Sequence, residues 1–317
     1  MAEEYDIPVF VITGFLESGK TSFIRDTVAA DYFQMDAPTL LITCEEGEEE
    51  YDKATLLNHN TLLEVVAEKE DFTPQLLKEF QRKYQPERVI IEYNPLWGLN
   101  DLWDMEMPRR WGILQQIVTV DASTFQVYLS NMKSIFMDMC TRADMVVFNR
   151  ANADLPLANF RRSIKVVNPA VDIIFENEAR EPMDIFEDSL PYETDTDLIQ
   201  IDDVDYGIFY VDMRDCPERY QGKTVQFKAV VLKSKNAEPN VFVPGRKAMT
   251  CCAEDIRYIG FVCKTDKLDE WKAGTWIELT AEVSFGYSKA YRGEGPILTA
   301  KKIVACDPPA TEIVFFN

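Results

Sequence analysis

The first half of the chain alternates short, near-continuous apolar runs with segments whose apolar residues recur at helical spacing. Apolar runs of this kind are typical of strands that are buried on both faces of a parallel sheet. We predict strands at residues 8–13, 39–43, 88–92, 116–122, 143–149 and 172–175. We predict helices that begin near residue 22 and that occupy residues 61–69, 73–84 and 123–140. Strands that alternate with helices predict an α/β fold with a mostly parallel sheet and a ligand at the carboxyl ends of its strands.

The pattern changes beyond residue 200, where short segments alternate apolar and polar positions. We predict strands at residues 207–213, 224–232, 258–264, 275–283, 297–303 and 312–316. Short strands separated by turn residues predict a smaller all-β domain, a partly open barrel of the OB type. The preceding stretch is rich in Asp, Glu and Pro, which is typical of a linker. We therefore divide the chain into an α/β domain at 1–185, an acidic linker at 186–204 and an OB-like domain at 205–317.

Length and composition favour a globular protein of two domains. The chain has 317 residues, which is enough for two ample cores. Its N-terminus is acidic without signal-peptide character, and no apolar run is long enough to span a bilayer. The seven cysteines are an odd number without a regular framework, which suits a reducing compartment. We expect a cytoplasmic protein that does not insert into a membrane.

The excess negative charge is concentrated in the first two thirds of the chain. The net charge is −21, of which −20 falls in residues 1–200 and −1 in residues 201–317. The acidic part is a poor partner for nucleic acid or an anionic membrane, and it attracts cations or a basic protein surface. Solubility alone is the alternative reason for many of these charges. The near-neutral second part has no basic groove for a nucleic-acid backbone, so we expect no nucleic-acid partner.

Residues 14–21 fit the phosphate-binding pattern G-x-x-x-x-G-K-[ST] at every fixed position. Gly14 and Gly19 let the backbone turn so that successive N–H groups point toward an anion. Lys20 can reach the β- and γ-phosphates, and Thr21 offers a hydroxyl oxygen to Mg²⁺. The candidate phosphate-binding residues are Gly14, Glu17, Ser18, Gly19, Lys20, Thr21 and Ser22. The alternative is a glycine turn that binds no nucleotide.

Two acidic features follow the later strands. A dense acidic loop at residues 44–52 could coordinate a hard metal or act as a nucleotide-sensing switch, or it is simply a solvated loop. Glu92 ends a buried strand, where a carboxylate can hold Mg²⁺ through water or orient an attacking water. Lys20, Thr21 and Glu92 are therefore the candidate catalytic residues.

The order of these motifs resembles the CobW-type GTPases, relatives of the HypB and UreG metal-centre maturation proteins. The resemblance covers roughly residues 7–180 and includes the strand Val118-Thr119-Val120-Asp121-Ala122. It implies a P-loop NTPase sheet of the SIMIBI class, GTP as substrate, Mg²⁺ as cofactor and a role in metal handling. It implies a switch at Glu45, Glu46, Gly47, Glu48 and Asp52. It also implies base recognition by Asn149, Arg150, Asn152 and Asn168.

The chain departs from the family pattern at three places. The metal motif C-x-C-C is expected near residues 58–64, where the chain has no cysteine; Cys44 lies nearby, and His59 is either a metal ligand or an ordinary loop residue. In the base-reading motif N-K-x-D, Arg150 replaces Lys and Asn152 replaces Asp. An asparagine amide accepts only one of guanine's two N–H donors, so guanine fits less well unless Asp154 substitutes.

The third departure follows Glu92, where Tyr93-Asn94-Pro95 replaces the small hydroxyl-glycine run of the family. We therefore expect slow hydrolysis.

The second half resembles the C-terminal domain of YcgQ-like proteins over roughly residues 205–317, at 222–225, 249–255 and 259–262. Its chemical feature is the pair Cys251-Cys252, which could bind Zn²⁺ with Glu254, Asp255 or Cys263. Adjacent residues on a strand point to opposite faces. Both thiols can therefore bind one ion only if the backbone bends at this point. The alternative is one buried and one half-exposed thiol.

Three functions remain open from the sequence. The first is slow Mg-dependent GTP hydrolysis coupled to metal handling, with a client metalloprotein or metal transport protein as partner and a homodimer as one assembly. The second is a non-enzymatic module whose partner binding is gated by nucleotide. The third is a metallochaperone whose metal site is Cys251-Cys252.

Overall fold

The computed structural model describes residues 6–45, 51–183, 190–234, 238–249 and 256–316. These residues form two compact units, which are delimited by Met1–Leu157 with Ala170–Ile185 and by Ala158–Pro169 with Phe186–Asn317. The short segment Ala158–Pro169 packs within the second unit, where Arg161 and Lys165 form ion pairs with Asp215 at 2.7 and 3.9 Å.

A parallel sheet forms the centre of the first unit. Its strands are β1 (Ile7–Thr13), β2 (Thr39–Thr43), β3 (Thr61–Val65), β4 (Arg88–Tyr93), β5 (Trp111–Asp121), β6 (Met145–Asn149) and β7 (Asp172–Phe175). The order across the sheet is β3-β2-β4-β1-β5-β6-β7, and every neighbouring pair is parallel. Every residue of β2 is buried, as the near-continuous apolar runs predict. The predicted parallel α/β fold is confirmed.

The helices of the described residues are short. They are α1 (Lys20–Ala29), α2 (Lys53–Asn58), α3 (Pro74–Tyr84), α4 (Leu99–Trp103), α5 (Phe125–Asn131), α6 (Lys133–Thr141), α7 (Leu157–Lys165) and α8 (Tyr206–Asp215). None of these helices is both long and apolar enough to cross a bilayer. α3 begins where the sequence predicts, because the Thr73 hydroxyl accepts a hydrogen bond from the Leu76 N–H at 3.3 Å.

Two helix predictions in the first unit need correction. Residues 61–69 do not form a helix: Thr61–Val65 is the edge strand β3, which pairs in parallel with β2 from Thr39↔Thr61 to Thr43↔Val65. A short apolar run does not distinguish the two structures, and pairing with β2 satisfies its backbone groups. The single helix predicted at 123–140 is α5 followed by α6, because Met132 has a non-helical backbone between them.

The second unit is mostly β and contains a small barrel. Its strands are β8 (Leu198–Gln200), β9 (Thr224–Leu232), β10 (Val241–Met249), β11 (Ile256–Gly260), β12 (Val262–Lys264), β13 (Trp276–Ser288), β14 (Gly293–Ala305) and β15 (Ile313–Val314). The pairings run β9-β10-β12-β14-β13 and return to β9, which closes a barrel. β8 lies within the stretch predicted as a linker and adds to the sheet beside β9.

The sequence did not predict β10, and it predicted one strand where β11 and β12 lie. One predicted strand is a helix. Residues 207–213 form part of the helix α8, not a strand. The buried aromatic ring of Phe209 lies 5.4 Å from that of Phe227 and 5.6 Å from that of Phe261, so the helix contributes to the core of the barrel. The segment is apolar on several sides, and tertiary packing, not local alternation, decides its structure. Gly207 allows the close approach, because a Cβ there would lie 2.3 Å from the carbonyl oxygen of Phe315.

Candidate functional site

The loop between β1 and α1 needs glycine at both of its fixed glycine positions. Gly14 has φ 154°, and a Cβ there would lie 2.4 Å from the main-chain oxygen of Thr119 on β5. Gly19 has φ 88°, and a Cβ there would lie 2.8 Å from Nδ2 of Asn149. The hydroxyl groups of Ser18 and Thr119 share a hydrogen bond of 2.8 Å. The loop is therefore packed closely against the carboxyl ends of β5 and β6.

Lys20 opens α1 and turns its ammonium group back over the loop. Its Nζ donates to the carbonyl oxygens of Gly14 at 2.9 Å and Phe15 at 3.0 Å. The same Nζ forms an ion pair with Oε2 of Glu45 at 2.6 Å. The Lys20 side chain is only 4% exposed and that of Glu45 15%. A cation held between main-chain oxygens and one carboxylate is well placed to bind an anion that can displace them.

A second polar cluster lies beside Lys20 and joins three elements. Thr21 Oγ1 donates to Oε1 of Glu92 at 3.1 Å, and the Tyr51 hydroxyl donates to Oε2 at 2.8 Å. Glu92 is only 3% exposed, and burial raises the pKa of its carboxyl group, although the hydrogen bond from Tyr51 and the charge of Lys20 oppose the rise. Burial and the charge of Glu92 raise the pKa of Tyr51, so its hydroxyl stays a donor. The cluster presents oxygen atoms, which hard cations prefer.

The sequence left open a site for a soft metal at Cys44 or His59. The described residues near this cluster do not support that site. Within the described ranges, no group of three or more His, Cys, Asp or Glu side chains lies close enough to hold a metal ion. Burial, followed by the charges of Glu92 and Glu45, raises the pKa of Cys44, which disfavours the thiolate that a metal needs. His59 caps the carboxyl end of α2. A cation beside Thr21 would complete its shell with water and phosphate oxygens.

The predicted zinc site of the second unit lies mostly outside the described residues. Cys251, Cys252, Glu254 and Asp255 belong to that undescribed stretch. The remaining candidate ligand, Cys263 on β12, is buried, and burial raises its pKa. The pair Cys251-Cys252 stays a prediction.

A polar cavity of about 420 Å³ opens on the other side of the loop. Asn149 lines it from the end of β6 and donates from Nδ2 to the main-chain oxygen of Ser18 at 2.6 Å. Arg150 also lines it, with Nη1 2.6 Å from Oδ2 of Asp121 and 3.3 Å from the main-chain oxygen of Glu17. The planar guanidinium is thus tied to both the loop and β5, and such a plane can lie against a flat base. The cavity lies where the base of a nucleotide held by the loop would be expected.

The other two predicted base-reading residues are Asn152 and Asn168. Asn152 is exposed and is not among the described residues that line the cavity. Its Oδ1 accepts a hydrogen bond from the Asp154 N–H at 3.0 Å, and Asp154, the predicted substitute, does not line the cavity either. Asn168 belongs to Ala158–Pro169, which packs in the second unit. The structure therefore brings Asn149 and Arg150 together at the cavity, whereas Asn152 does not line it.

The predicted switch is described only at its two ends. Glu45 forms the ion pair with Lys20, whereas Glu46, Gly47 and Glu48 lie outside the described residues. Asp52 is the N-cap of α2 and accepts hydrogen bonds from the N–H groups of Ala54 at 3.2 Å and Thr55 at 3.3 Å. The hydrogen bond from the Thr55 side chain, followed by that from Ala54, lowers the pKa of Asp52. One end of the switch thus contacts the candidate phosphate site and the other starts a helix.

Sequence reasoning missed four residues of the site. Tyr51 binds Glu92, Thr119 binds Ser18, Asp121 binds Arg150, and Glu176 lines the cavity. Thr119, Asp121 and Glu176 share one signal, because each is a polar residue near the carboxyl end of a parallel strand or just beyond it. That edge is where open α/β sheets bind ligands.

Residues 8–175, more than half of the chain, match the family model described as the CobW/HypB/UreG nucleotide-binding domain. The chain belongs to the CobW/HypB/UreG family. This P-loop family includes metallochaperone GTPases. Residues 179–316 of this family member match a second model, the DUF1980 C-terminal domain. No curated protein matches the sequence.

Several solved structures are similar to the CobW/HypB/UreG part of the chain. The hydrogenase maturation factor HypB from Archaeoglobus fulgidus is 15% identical with a TM-score of 0.41, over 56% of this chain and 85% of that one. The Zn(II)-bound YjiA GTPase from E. coli is 20% identical with a TM-score of 0.42, over 56% of this chain and 59% of that one. HypB from Helicobacter pylori in complex with nickel is 14% identical with a TM-score of 0.36, over 56% of this chain and 80% of that one.

Proposed function

We propose that the protein binds a nucleoside triphosphate, with GTP preferred, and hydrolyses it slowly in a Mg-dependent reaction that serves metal handling or metal-centre maturation. The position of Lys20 is the observation that carries this proposal. Its buried ammonium group lies over the loop, and the conformation of that loop requires glycine at positions 14 and 19. Calorimetry with Mg–GTP tests the binding, and GTP-dependent phosphate release tests the hydrolysis. A protein that binds no Mg-nucleotide would contradict the proposal.

The phosphate chain of the nucleotide replaces the partners that Lys20 has within the protein. Phosphate oxygens compete with the carbonyl oxygens of Gly14 and Phe15 and with the carboxylate of Glu45. The loop N–H groups and the amino end of α1 add partial positive charge at the same place. These groups are fixed before the reaction, so they stabilise charge that develops on the transferred phosphoryl group.

The oxygen atoms of Thr21 and Glu92 fit Mg²⁺, because a hydroxyl and a buried carboxylate are hard ligands that lie 3.1 Å apart. Mg²⁺, when bound, neutralises charge on the phosphate oxygens. Thr21 would hold it directly and Glu92 through water. Tyr51 orients the carboxylate of Glu92, because its hydroxyl donates to the oxygen that Thr21 does not contact.

Because the pKa of Glu92 is raised, we expect Mg-dependent nucleotide binding to weaken at low pH, which we call the acidic limit. The carboxylate must be ionised to attract a cation, so Mg-dependent nucleotide binding rises with pH through the pKa of Glu92. The effect on stability has the opposite sign. Because the folded pKa exceeds the unfolded one, this group stabilises the fold below the unfolded pKa and loses that contribution as the pH rises through the folded pKa.

Replacing Tyr51 by phenylalanine is expected to move this acidic limit to higher pH. The variant removes the hydroxyl that stabilises the charged form of Glu92, so the pKa of Glu92 rises further. On the acidic limb, Mg-dependent nucleotide affinity should fall about three- to tenfold below that of the wild type, and the two should converge at higher pH. Titrations of nucleotide with Mg²⁺ at several pH values measure this. The exposed Tyr287, changed in the same way, is the control, and identical profiles for Tyr51→Phe and wild type would contradict the assignment.

The ion pair between Lys20 and Glu45 makes one end of the switch a competitor of the triphosphate. We expect Glu45→Gln to bind Mg–GTP about three- to tenfold more tightly, because the phosphates no longer displace a carboxylate from Lys20. The gain should be small for GMP, which lacks the β- and γ-phosphates that Lys20 reaches. Glu79→Gln, the same charge change at an exposed position of α3, controls for net charge. Unchanged or weaker GTP binding by Glu45→Gln would show that this contact does not compete.

The metal-handling part of the proposal is supported by the family and by charge. The family includes metallochaperone GTPases, and the acidic excess of residues 1–200 favours cations or a basic client surface. The client would be a metalloprotein or a metal transport protein, with zinc at Cys251-Cys252 as a separate prediction and a homodimer as a possible assembly. We place the protein in the cytoplasm, because the five cysteines that the structure describes are free thiols.

A nucleotide-gated module without hydrolysis is the second candidate. The observation that favours it is the burial of Glu92 and its engagement by Thr21 and Tyr51, which leaves few of its lone pairs for an attacking water. Mg–GTP binding without Lys20-dependent phosphate release would favour this module over the enzyme.

A further inference from the structure

Among the described residues, three carboxylates line the cavity beside Asn149, and they differ in their partners. Asp26 forms ion pairs with Arg180 and, at 3.7 Å, with Arg25. Glu178 is exposed to solvent. Glu176 is partly buried, and within the described ranges its carboxylate has no hydrogen-bond or ion-pair partner. Glu176 is therefore an acceptor group in a polar cavity whose acceptor capacity is unused.

The main chain fixes Glu176 next to the two residues that tie the cavity to the phosphate loop. The N–H of Glu176 donates to the carbonyl oxygen of Phe148 at 2.7 Å, and its own carbonyl oxygen accepts from the Ala151 N–H at 2.8 Å. These bonds flank Asn149 and Arg150 on both sides. A ligand that reaches Asn149 from the phosphate loop therefore comes within the same cavity as the carboxylate of Glu176.

The side chain also carries an electrostatic cost that a ligand can relieve. Burial raises the pKa of Glu176, and no other cause contributes. A half-buried carboxylate that lines a polar cavity and has no described donor can accept N–H groups from a ligand. The ligand expected here should therefore present two adjacent donors.

Guanine has this arrangement at its pairing edge. Its N1–H and N2–H₂ groups point the same way, and a carboxylate accepts from both. Adenine places a lone pair at N1, and xanthine places an oxygen at position 2, so both repel a carboxylate. Asn152, the residue that motif spacing assigns to this edge, does not line the cavity, and its Oδ1 is already bonded to the Asp154 N–H.

We propose that Glu176 selects guanine by accepting hydrogen bonds from its N1–H and N2–H₂ groups. This inference rests on the proposed function, since it assumes that the loop holds the phosphates of the same nucleotide. Glu176 is a specificity residue, and its main chain bonds to Phe148 and Ala151 beside the cavity.

The test is a change of base preference in the full-length protein. Glu176→Gln should weaken GTP binding about 10- to 100-fold, because an amide accepts from N1–H but opposes N2–H₂ with a donor of its own. The same amide matches xanthine, which offers N1–H and an acceptor at position 2, so XTP binding should improve about tenfold or more. A gain for one nucleotide and a loss for another cannot result from partial unfolding. Affinity for inorganic tripolyphosphate, which has no base, should stay unchanged.

Two control variants isolate the position. Glu178→Gln makes the same chemical change at an exposed carboxylate of the same cavity, and it should leave the GTP/XTP ratio within about threefold of wild type. Asn152→Asp restores the family residue outside the cavity and should also change the ratio by less than about threefold. A larger effect of either control would overturn the inference.

The remaining outcomes separate this inference from the proposed function. If wild type binds GTP with Lys20-dependent affinity but Glu176→Gln keeps the wild-type GTP/XTP ratio, the inference fails and the proposed function stands. If wild type binds GTP, ATP and XTP equally, the inference and the proposed GTP preference fail, whereas Lys20-dependent triphosphate binding stands. If wild type binds no nucleotide at all, both fail together.

Discussion

Replacing Lys20 by alanine is expected to weaken Mg–GTP binding by more than about a hundredfold and to remove GTP-dependent phosphate release. The variant loses the buried cation of Lys20 over the loop, and it leaves the carboxylate of Glu45 beside the incoming phosphates. Attraction is thus replaced by repulsion at the same point. Calorimetry measures the binding, and single-turnover phosphate release measures the reaction.

The matched control is Lys302→Ala, which removes an exposed lysine of the second unit. This control should bind Mg–GTP and release phosphate as the wild type does. Because Lys20 is buried, its replacement must also be tested for folding by circular dichroism and by its thermal transition. A folded Lys20→Ala protein that binds Mg–GTP normally would contradict the assignment of the phosphate site. If wild type binds Mg–GTP and neither protein releases phosphate, the result favours the nucleotide-gated module over the enzyme.

Replacing Gly14 by alanine is expected to have the second largest effect, and its cause is steric. The new Cβ would lie 2.4 Å from the main-chain oxygen of Thr119 and 2.5 Å from Oγ of Ser18, at a φ of 154° that side chains rarely adopt. Backbone strain and overpacking together should cost about 2–5 kcal/mol of stability. The loop must move away from β5 to relieve the contact, so triphosphate affinity should fall by more than about a hundredfold in the protein that remains folded.

Gly98→Ala separates strain from crowding in this experiment. Gly98 also has a positive φ, 87°, but the nearest atom to a Cβ there is a side-chain oxygen of Asp101 at 3.9 Å. Its replacement should cost about 1 kcal/mol and leave nucleotide binding intact. Urea unfolding of both variants, followed by titration with Mg–GTP well below the transition, gives the two quantities. Equal losses of stability for both variants would mean that the packing of Gly14 on Thr119 is not what the loop depends on.

The geometry of the loop proposed to bind phosphate could be predicted from the sequence because its residues are contiguous. The segment from Gly14 to Thr21 forms one turn between β1 and α1, so the residue types and their spacing define the local geometry. The partners of Lys20 and Thr21 could not be predicted in the same way. Glu45 follows β2 and Glu92 lies on β4, and these strands come together only through the order β2-β4-β1 across the sheet. Such neighbours are set by topology, which one sequence does not show.

The base side shows the limit of motif spacing. Asn149 and Arg150 line the cavity because they end β6, whereas Asn152 lies a few residues further and binds the main chain of its own turn. Glu176 belongs to no motif and gives only the weak signal of a polar residue just after a strand. The proposal that Glu176 reads the base rests on its place in the cavity and on the absence of a described partner for its carboxylate. Both appear only in three dimensions.

The same reason explains the failures of local periodicity. Most strands of the parallel sheet and of the barrel were predictable because they keep their patterns over the whole element. The strand β10 was not predicted, and its segment Val241–Met249 contains Pro244 and Gly245. The segment Thr61–Val65 became a strand because β2 offers an open edge, and Tyr206–Asp215 became a helix because the barrel core takes its aromatic side chains. In both cases a neighbour that is distant in sequence decides the structure.

The hydrogen bond from Asn149 to the Ser18 carbonyl oxygen joins the loop proposed for the phosphates to the cavity proposed for the base. An amide that holds the phosphate loop and also borders the base cannot respond to one fragment of the ligand without altering its position for the other. The free energies with which a nucleoside and a triphosphate bind separately should therefore fail to sum to that of the intact nucleotide.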